Sequence, residues 1–540
     1  MTKEPIYVLF LDAKSAFDVV LKELLIKNLY HCNTTGESLI YLNNRLANRD
    51  TFIEWDGNIV GPIHDECGLE QGGMNSSNFY QVFGKEQLES AQHSELGIKL
   101  DNEITISGIG QADDTLLVSN DIHKLKYLLY LTTVFCEKYQ VQLCPEKTKL
   151  LVYHSKDMQF PVDYAKAINP LKINNEEIKF VDSAEHVGML RAPAENHVTI
   201  LARITMHKKA LGAVMHVGIA RGHRGNPAAA FHVHQLYGTP VLMSGLAPLV
   251  LSGSEVEIIE HHFKETLQRL QRLFPKTPRC VTYFLAGSLP GSALLHLRQL
   301  SLFGMIIRLN GSILNNYALT YFNSGALKTH SWFQQIRNLC LLYNLPHPIQ
   351  LLSTPLSKYR FKKLIKSHVI NYWEIKLRNE AAPLTSLQYF NPAYMSLVSP
   401  HPIWSTVGSS PAKVAMATIQ AQMLSGRYRT EHLCSLWSPN SSEFCQLAQS
   451  CKFISEDLDH IIRNCESLTQ TRQKMQLLSL KYCKGMEHIE SIVMKYSDPS
   501  HPQFCQYLLD CSILEDVIVA KQNFGEQVLY DLFHITRTYC

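Results

Sequence analysis

The chain has 540 residues, of which 46% are hydrophobic and 18% are charged. This length exceeds one ordinary hydrophobic core, so about two to four domains are expected, and the composition excludes an intrinsically disordered protein. The formal net charge of +3 at pH 7 is close to neutral, so the total charge gives no argument for a nucleic-acid partner.

Targeting and membrane signals are missing from the sequence pattern. The first apolar run, residues 6–11, is too short for a secretory signal, and no stretch reaches the roughly 18 apolar residues of a transmembrane helix. The 14 cysteines are scattered, which is typical of reduced thiols. We therefore expect a soluble intracellular protein, nuclear or cytoplasmic and not secreted, without a membrane partner.

Residues 5–11 predict a short strand buried on both faces. Asp12 follows it, and residues 14–18 open a helical pattern that continues to Leu29. An acid at the end of a buried strand is costly unless it is paired, hydrogen-bonded or bound to a cation. The alternative is that Asp12 caps the following helix.

Residues 51–63 predict a β-hairpin with Asp56-Gly57 as its turn. A Gly-rich stretch at residues 68–77 then precedes a helical pattern over residues 78–92. Glycine pairs allow the backbone to approach a ligand, and a helix N-terminus favours an anionic one. Such junctions also carry these residue types simply as helix caps.

Two adjacent acids, Asp113 and Asp114, lie between the apolar runs 104–109 and 116–118. The pattern predicts a β-hairpin with both acids at its tip, where the backbone can bring both carboxylates near one metal ion. On local evidence alone, a solvated Asp-Asp turn is the favoured alternative.

The next stretch continues with short elements up to residue 190. They are a helix over residues 123–139, strands over 141–143 and 150–153 around a turn at 145–149, and a hairpin formed by 178–181 and 186–190. This order predicts an α+β fold with helices on one side of a sheet.

From about Thr199 to the C-terminus the pattern is helical, with breaks at residues 224–227, 274–278 and 287–291. Residues 196–254 contain no Asp or Glu. Within this acid-free segment the basic residues are Arg203, Lys208, Lys209, Arg221 and Arg224.

A second basic stretch, residues 358–378, has seven Lys or Arg against the single acid Glu374. Its aromatic residues are Tyr359, Phe361, Tyr372 and Trp373. Such a stretch either binds the phosphates of a nucleic-acid strand, with the aromatic rings stacking on its bases, or forms an amphipathic helix with one solvated side. The amphipathic helix is the favoured interpretation.

Further along, Cys445, Cys451, His460 and Cys465 have the spacing Cys-x5-Cys-x8-His-x4-Cys. Three thiolates and one imidazole suit a tetrahedral structural zinc ion. The alternative is a set of buried, unpaired cysteines in helices.

In this order and spacing, the motifs resemble the palm of a reverse transcriptase, in particular that of non-LTR (LINE-type) retrotransposons. The matching segments are residues 11–18, 68–76, 112–114, 145–149 and, as a weakened primer-grip hairpin, 186–188. The resemblance implies a ferredoxin-like antiparallel palm sheet and RNA-directed DNA polymerase activity. An RNA template, a DNA primer and deoxynucleoside triphosphates are the implied partners, with no obligate protein partner.

The resemblance also implies the roles of single residues. Two Mg²⁺ ions, which prefer oxygen ligands, would be held by Asp12, Asp113 and Asp114, with Asp12 and Asp113 as the principal ligands. The other implied roles are Lys147 at the departing pyrophosphate, Phe17 against the sugar, and Gln71 and Gly72 at the incoming nucleotide. Without the resemblance, Phe17 is a core aromatic residue and Lys147 a solvated turn residue.

The implied domains are a palm at 1–194, a helical thumb at 195–275, a helical connector at 276–430, a zinc knuckle at 431–475 and a helical tail at 476–540. A thumb that grips nucleic-acid backbone would suffer from carboxylates, which agrees with the acid-free segment. Because the resemblance begins at the first palm motif, we expect the fingers and any nuclease domain to be missing.

Two positions depart from the family pattern, since Gln111 and His186 stand where aromatic residues are common. Three hypotheses follow from the sequence. The chain is an active polymerase, a catalytically inactive fragment that only binds nucleic acid, or a decayed gene product without a biochemical role.

Overall fold

The computed structural model describes residues 5–47, 49–100, 104–153, 171–192, 196–214, 225–324, 331–438 and 441–537. Contacts divide the chain into two compact units. The first is Met1–Ala202 with Gly311–Thr320, and the second is Arg203–Asn310 with Tyr321–Cys540. The predicted palm–thumb boundary at 194/195 and the predicted basic residues Arg221 and Arg224 lie outside the described residues.

Up to residue 191, the described part of the first unit consists of short strands and helices. The strands are β1 (Ile6–Leu11), β2 (Ala13–Lys14), β3 (Asp50–Trp55), β4 (Asn58–His64), β5 (Ile98–Lys99), β6 (Thr105–Ile106), β7 (Gly108–Gln111), β8 (Asp114–Ser119), β9 (Gln142–Leu143), β10 (Lys149–Tyr153), β11 (Lys172–Ile173), β12 (Glu176–Glu177), β13 (Lys179–Phe180), β14 (Ala184–His186) and β15 (Met189–Arg191). The helices are α1 (Lys22–His31), α2 (Gly36–Ala47), α3 (Ser76–Phe83), α4 (Lys85–His93) and α5 (Ile122–Tyr139).

Five of these strands form one sheet in the order β13-β10-β1-β8-β7. The central strand β1 pairs antiparallel with both β10 and β8, and β7 pairs antiparallel with β8. At the other edge β13 runs parallel to β10. The sheet is therefore mixed, and the expectation of a wholly antiparallel sheet is wrong at that edge.

Side chains of β1 alternate between the two faces of the sheet, as the period of a strand requires. Leu9 belongs to a buried cluster with Leu125 and Leu128 of α5, whereas Phe10 belongs to a second cluster with Ala184 of β14. Both faces of β1 are covered, which explains why the strand reads as a continuous apolar run. The predicted α+β class is confirmed, with helix α5 packed on one face of the sheet.

The predicted hairpin at 51–63 is confirmed as β3 and β4, which pair antiparallel. Asp56 and Gly57 form its two-residue turn with φ of 50° and 76°, as a type I′ turn requires. Both strands are mostly exposed, and Trp55 retains 79% of its accessible surface. The hairpin is thus specified by its turn rather than by burial of a face.

Three local predictions are wrong. The helix expected from Lys14 begins only at Lys22, because Ser15 has φ of 52° and starts a turn. The residue at the N-cap position of α1 is Leu21, so Asp12 does not cap this helix. Gly84 divides the helix expected over 78–92 into α3 and α4. The stretch 178–181 does not pair with 186–190, since β13 joins the main sheet and β14 pairs with β15.

The chain beyond residue 196 is helical, as predicted. The helices are α6 (Asn196–Val214), α7 (Pro227–Val233), α8 (Thr239–Met243), α9 (Gly253–Gln271), α10 (Arg279–Ala286), α11 (Gly291–Ile306), α12 (Ile313–Asn323), α13 (Trp332–Leu342), α14 (Pro348–Ser353), α15 (Lys358–Ala381), α16 (Pro402–Ser405), α17 (Pro411–Leu424), α18 (Glu431–Ser435), α19 (Thr469–Cys483), α20 (Glu487–Tyr496), α21 (Phe504–Asp510), α22 (Glu515–Phe524) and α23 (Gln527–Arg537), with π-helical segments at His234–Gly238 and His460–Asn464. The predicted breaks at 274–278 and 287–291 separate α9, α10 and α11.

Within the described residues, no single helix is long and apolar enough to cross a membrane. The helices α10 and α11 satisfy that test only as a pair, and the chain bends by 64° between them.

Helix α15 is amphipathic, which is the reading that the sequence favoured for the second basic stretch. Its buried residues recur every fourth position at Phe361, Ile365, Val369, Trp373 and Leu377. Two of the four aromatic residues interleaved with the basic ones therefore belong to the core, so they cannot stack on a ligand.

Three histidines form a chain of contacts inside the second unit, with His207 between the other two. His207 of α6 places Nδ1 at 2.9 Å from His262 Nε2 and its own Nε2 at 3.0 Å from His234 Nε2. Burial, with the charges of the neighbouring histidines, lowers the pKa of His207 to about 3. Neutral imidazoles satisfy this chain, because each ring can donate at one nitrogen and accept at the other. We call these three residues the histidine cluster.

Candidate functional site

The strand register brings the predicted aspartates to one end of the main sheet. Leu11 pairs with Thr115, so Asp12, immediately after β1, lies level with Asp114 at the start of β8. Asp113 is the second residue of the two-residue turn between β7 and β8, where Ala112 has φ of 55°. A tight turn of this kind keeps Asp113 next to the end of the central strand. We call Asp12, Asp113 and Asp114 the aspartate group.

The aspartate group is electrostatically unfavourable without a cation. Burial raises the pKa of the Asp113 carboxyl, and the negative charges of Asp114 and Asp12 act in the same direction. Like-charged carboxylates near one another disfavour ionisation unless a positive charge compensates. The donor set, oxygen atoms only, is the one that Mg²⁺ prefers, so these residues fit that ion.

The three carboxylates are nevertheless not gathered into one tight ligand set. Among the described residues, the only group of three or more His, Cys, Asp or Glu side chains whose ligand atoms all lie within 4.8 Å of one another is Cys445, Cys451, His460 and Cys465. The fold thus places the three aspartates at one end of the sheet, but their carboxylate oxygens do not all lie within 4.8 Å of one another.

Lys147 lies beside Asp12, with its Nζ at 3.7 Å from Asp12 Oδ2. The turn that carries Lys147 is fixed to the residue after β1 by hydrogen bonds on both sides. The Cys144 amide donates to the Asp12 carbonyl at 2.8 Å, and the Asp12 amide donates to Thr148 Oγ1 at 3.4 Å. The lysine is 72% exposed, so its ammonium group can reach an anion in front of the aspartates.

Phe17 lies in the turn between β2 and α1, not on a helix as expected. Its half-buried ring packs against Tyr80 of α3 at a centroid distance of 5.2 Å. Burial raises the pKa of Tyr80 well above its usual range, with a further contribution from the charge of Asp113. Tyr80 therefore links Phe17 to the aspartate group. The sequence prediction missed it, although it lies on the buried face of α3.

The Gly-rich loop is bonded to the same turn. The Leu69 amide donates to the Phe17 carbonyl at 2.7 Å, and Gln71 Nε2 donates to Asp18 Oδ1 at 3.3 Å. Gln71 and Gly72 are exposed, and Gly72 has φ of 87°, where glycine is favoured. Both residues are thus presented at the surface, and Gln71 contacts the turn rather than the aspartates.

His186 occupies the end of β14, followed by the turn residues Val187 and Gly188. Its ring meets the edge of Phe10 at 5.5 Å. Burial lowers the pKa of His186, and the charge of Asp114 opposes that shift. A titratable ring therefore stands near the aspartate group, where the family pattern has an aromatic residue.

Residues 1–181 match the family model described as reverse transcriptase (RNA-dependent DNA polymerase). The matched stretch includes every residue of the predicted active site from Asp12 to Lys147. No curated protein matches the chain. By this family resemblance residues 1–181, about a third of the chain, form an RNA-directed DNA polymerase domain, and a nucleic-acid template, a primer and deoxynucleoside triphosphates are the ligands that such a domain implies.

The second predicted site lies in the second unit and consists of Cys445, Cys451, His460 and Cys465, which we call the Cys/His cluster. All four side chains are buried, and their ligand atoms lie within 4.8 Å of one another. Cys445 belongs to this group, although its interval to the next cysteine in the sequence is unusually long. Cys445 and Cys465 lie outside helices, so the alternative of cysteines buried within helices does not describe them.

The Cys/His cluster passes two further tests for a zinc site. The Sγ atoms of Cys445 and Cys465 are 3.9 Å apart, and two thiolates on one tetrahedral zinc ion would be about 3.8 Å apart. His460 Nε2 is buried and has no hydrogen-bond partner among the described residues. A buried nitrogen without a partner is costly, and a metal bond would satisfy it.

Proposed function

We propose that the first unit is the palm of a non-LTR (LINE-type) reverse transcriptase and joins deoxynucleotides to a primer 3′-hydroxyl with two Mg²⁺ ions. The observation that carries this proposal is the register that sets Asp12 level with Asp114 beside the Asp113 turn. Bound there, the ions would lower the pKa of the primer hydroxyl and neutralise the triphosphate and the departing pyrophosphate.

The residues of the chain would then divide the remaining work. Asp12 and Asp113 are the proposed principal ligands, and Asp114 adds a third carboxylate. The exposed ammonium of Lys147 would compensate negative charge on the pyrophosphate. Phe17, held by Tyr80, would lie against the sugar, and Gln71 and Gly72 would contact the incoming nucleotide.

The test is primer extension on an RNA template with the purified full chain and Mg²⁺. Asp113→Asn should abolish extension, because it removes a charged ligand while keeping the side-chain shape. Asp56→Asn is the matched control, since Asp56 lies in a different two-residue hairpin turn of the same unit and should leave extension unchanged. Absence of extension by the wild-type chain would refute the proposal.

The runner-up function is nucleic-acid binding without catalysis. Two observations favour it: the carboxylate of Asp12 is already paired with Lys147, and the aspartates are not closed into one ligand set. This reading predicts that the double variant Asp12→Asn, Asp113→Asn binds RNA as the wild type does, with no extension by either. Extension by the wild type would exclude it.

We also propose that the Cys/His cluster binds one structural zinc ion and forms the knuckle of a segment at 431–475. The chain would carry its thumb at 195–275, its connector at 276–430 and its tail at 476–540, in an intracellular location. Elemental analysis of the purified chain should find one zinc per chain, lost in Cys451→Ser. Cys434→Ser is the matched control, because Cys434 lies nearby but outside the cluster.

A further inference from the structure

The first nine residues of α15 carry five exposed cations and no acid. Lys358, Arg360, Lys362, Lys363 and Lys366 are all exposed, and none forms an ion pair with a residue that the structure describes. Tyr359 lies among them and is 75% exposed. We call residues 358–366 the basic segment.

The second half of the same helix is different, because its charges are balanced. Arg378 pairs with Glu374 one turn earlier, at 3.3 Å. Glu380 accepts a hydrogen bond from Arg279 of α10, whose Nε is 3.1 Å from Glu380 Oε2. The net positive charge is thus a property of the basic segment and not of the whole helix.

The sequence around the basic segment offers no acid to balance it. Residues 266–373 contain no Asp or Glu and 13 Lys or Arg, whereas 48 acids in 540 residues would give about ten in a stretch of this length. Helices α10 and α11, which both pack on α15, lie inside this stretch. A β-carbon at Gly304 of α11 would collide with the ring of Phe361, so the packing that holds the basic segment is close.

Helix stability alone would not favour this arrangement. The N-terminal end of a helix carries partial positive charge and is stabilised by acids rather than by cations. Lys358, Lys362 and Lys366 follow one another at four-residue spacing, so like charges are neighbours along one side of the helix. Ser357 caps the helix at this end, yet the first two turns remain electrostatically unfavourable until an anion approaches.

We propose that the basic segment binds the sugar-phosphate backbone of a nucleic-acid strand, with Tyr359 stacking on a base. The row of three lysines extends over about 12 Å of helix axis, which corresponds to about three or four nucleotides at 3.4 Å each. An exposed aromatic ring among cations is the combination that binds single strands without sequence preference. The inference rests on the proposed function, because it takes nucleic acid as the ligand of the chain.

An anionic membrane surface is a poorer fit for the same charges. A helix that lies in a membrane interface needs a free apolar face. The apolar face of the basic segment, formed by Phe361 and Ile365, is buried against the protein. Only the cationic side, with Tyr359, is open to a ligand.

The experiment measures binding of the full chain to labelled single-stranded RNA, single-stranded DNA and an RNA–DNA duplex of one sequence, between about 50 and 200 mM salt. The triple variant Lys358→Gln, Lys362→Gln, Lys366→Gln should lower affinity about tenfold or more at low salt. It should also reduce the slope of log K against log salt by about two, at roughly 0.7 per phosphate contact of a single strand.

The matched control is Lys474→Gln, Lys481→Gln, Lys484→Gln, which removes three exposed lysines in and just after α19 and should change neither quantity. Tyr359→Ala should lower affinity for single strands about fivefold or more without changing the slope. The melting temperature of the Lys358, Lys362, Lys366 variant should equal or exceed that of the wild type, because like charges are removed.

Equal binding by the two triple variants would overturn the proposal. So would binding to phosphatidylserine vesicles that the Lys358, Lys362, Lys366 variant loses while its nucleic-acid binding is unchanged. Failure of the proposed function is distinguishable, since it appears as absent primer extension by a wild-type chain whose binding still depends on the basic segment.

Discussion

The Cys/His cluster and the aspartate group are two sets of metal-ligand side chains that differ in how closely the fold brings their ligand atoms together. The Cys/His cluster has all four ligand atoms within 4.8 Å, whereas the aspartate group shares a sheet end without reaching that closeness. Thiols and a neutral imidazole carry no charge before a metal binds, so they can be buried together. Carboxylates are charged at neutral pH and repel one another, so close approach requires cations.

The largest expected effect is the loss of the Cys/His cluster. Cys451→Ser, or removal of zinc by a chelator, should unfold the segment around residues 441–468, because a structural zinc site contributes on the order of 10 kcal/mol to folding. Hydrogen exchange of that segment measures the change. Cys434→Ser should leave exchange as in the wild type, and unaltered protection in Cys451→Ser would show that the cluster packs without metal.

The histidine cluster can be compared with both sets, because its buried side chains are neutral but become charged when they bind a proton. Burial lowers the pKa of His234 and of His262 to about 4, and Lys208 and Arg269 act on His262 in the same direction. The unfolded state therefore binds more protons than the folded state below about pH 6.5. The free energy of unfolding should fall as the pH drops from 7 towards 4, by at most about 1.4 kcal/mol per pH unit for each histidine.

Urea titrations at several pH values measure this slope for the second unit. His234→Gln should reduce it, because one of the coupled imidazoles is removed. The exposed neighbour Gln235 supplies the control, since Gln235→Ala removes no titratable group and should leave the slope unchanged. A stability that does not depend on pH in this range would mean that the three rings are not held in contact.

Removing a charge from the aspartate group should raise the free energy of unfolding, whereas protonation of the histidine cluster lowers it. The folded state raises the pKa of Asp113, so the ionised carboxylate destabilises the fold at neutral pH. Without Mg²⁺, Asp113→Asn should raise the free energy of unfolding by up to about 1 kcal/mol. Millimolar Mg²⁺ should raise the melting temperature of the wild type more than that of Asp113→Asn, with Asp56→Asn behaving as the wild type.

The smallest expected effect on stability belongs to Lys147. Its ion pair with Asp12 is exposed, and such pairs contribute about 0 to 1 kcal/mol, so Lys147→Gln should shift the melting temperature little. If the ammonium assists the departing pyrophosphate, single-turnover extension should slow by about 100-fold or more. An unchanged rate would assign Lys147 to the solvated turn alone.

Features specified by neighbouring residues could be predicted from the sequence. Asp56-Gly57 marks the β3–β4 turn because the positive φ of both residues suits few residue types. The apolar runs around Asp113 and Asp114 place the β7–β8 turn correctly. The four members of the Cys/His cluster were found from their spacing, because a chelating set must come from residue types that are otherwise seldom combined.

Features that depend on distant partners could not be predicted. The residues 179–180 join β10 rather than the adjacent hairpin, and only a contact across some 30 residues decides this. Tyr80 packs against Phe17 from a different element, and the three residues of the histidine cluster come from separate elements. No local sequence pattern predicts these contacts. The late start of α1 follows from the positive φ of Ser15, which its residue type does not signal.

The exposed β3–β4 hairpin has a practical consequence for spectroscopy. Trp55 is the only one of the five tryptophans in the first unit, and it is 79% exposed. The other four, Trp332, Trp373, Trp404 and Trp437, belong to the second unit, and two of them are buried. Iodide should therefore quench the emission of Trp55 most strongly, with a smaller contribution from Trp437, which is 43% exposed, and should reach Trp373 and Trp404 only when the second unit unfolds.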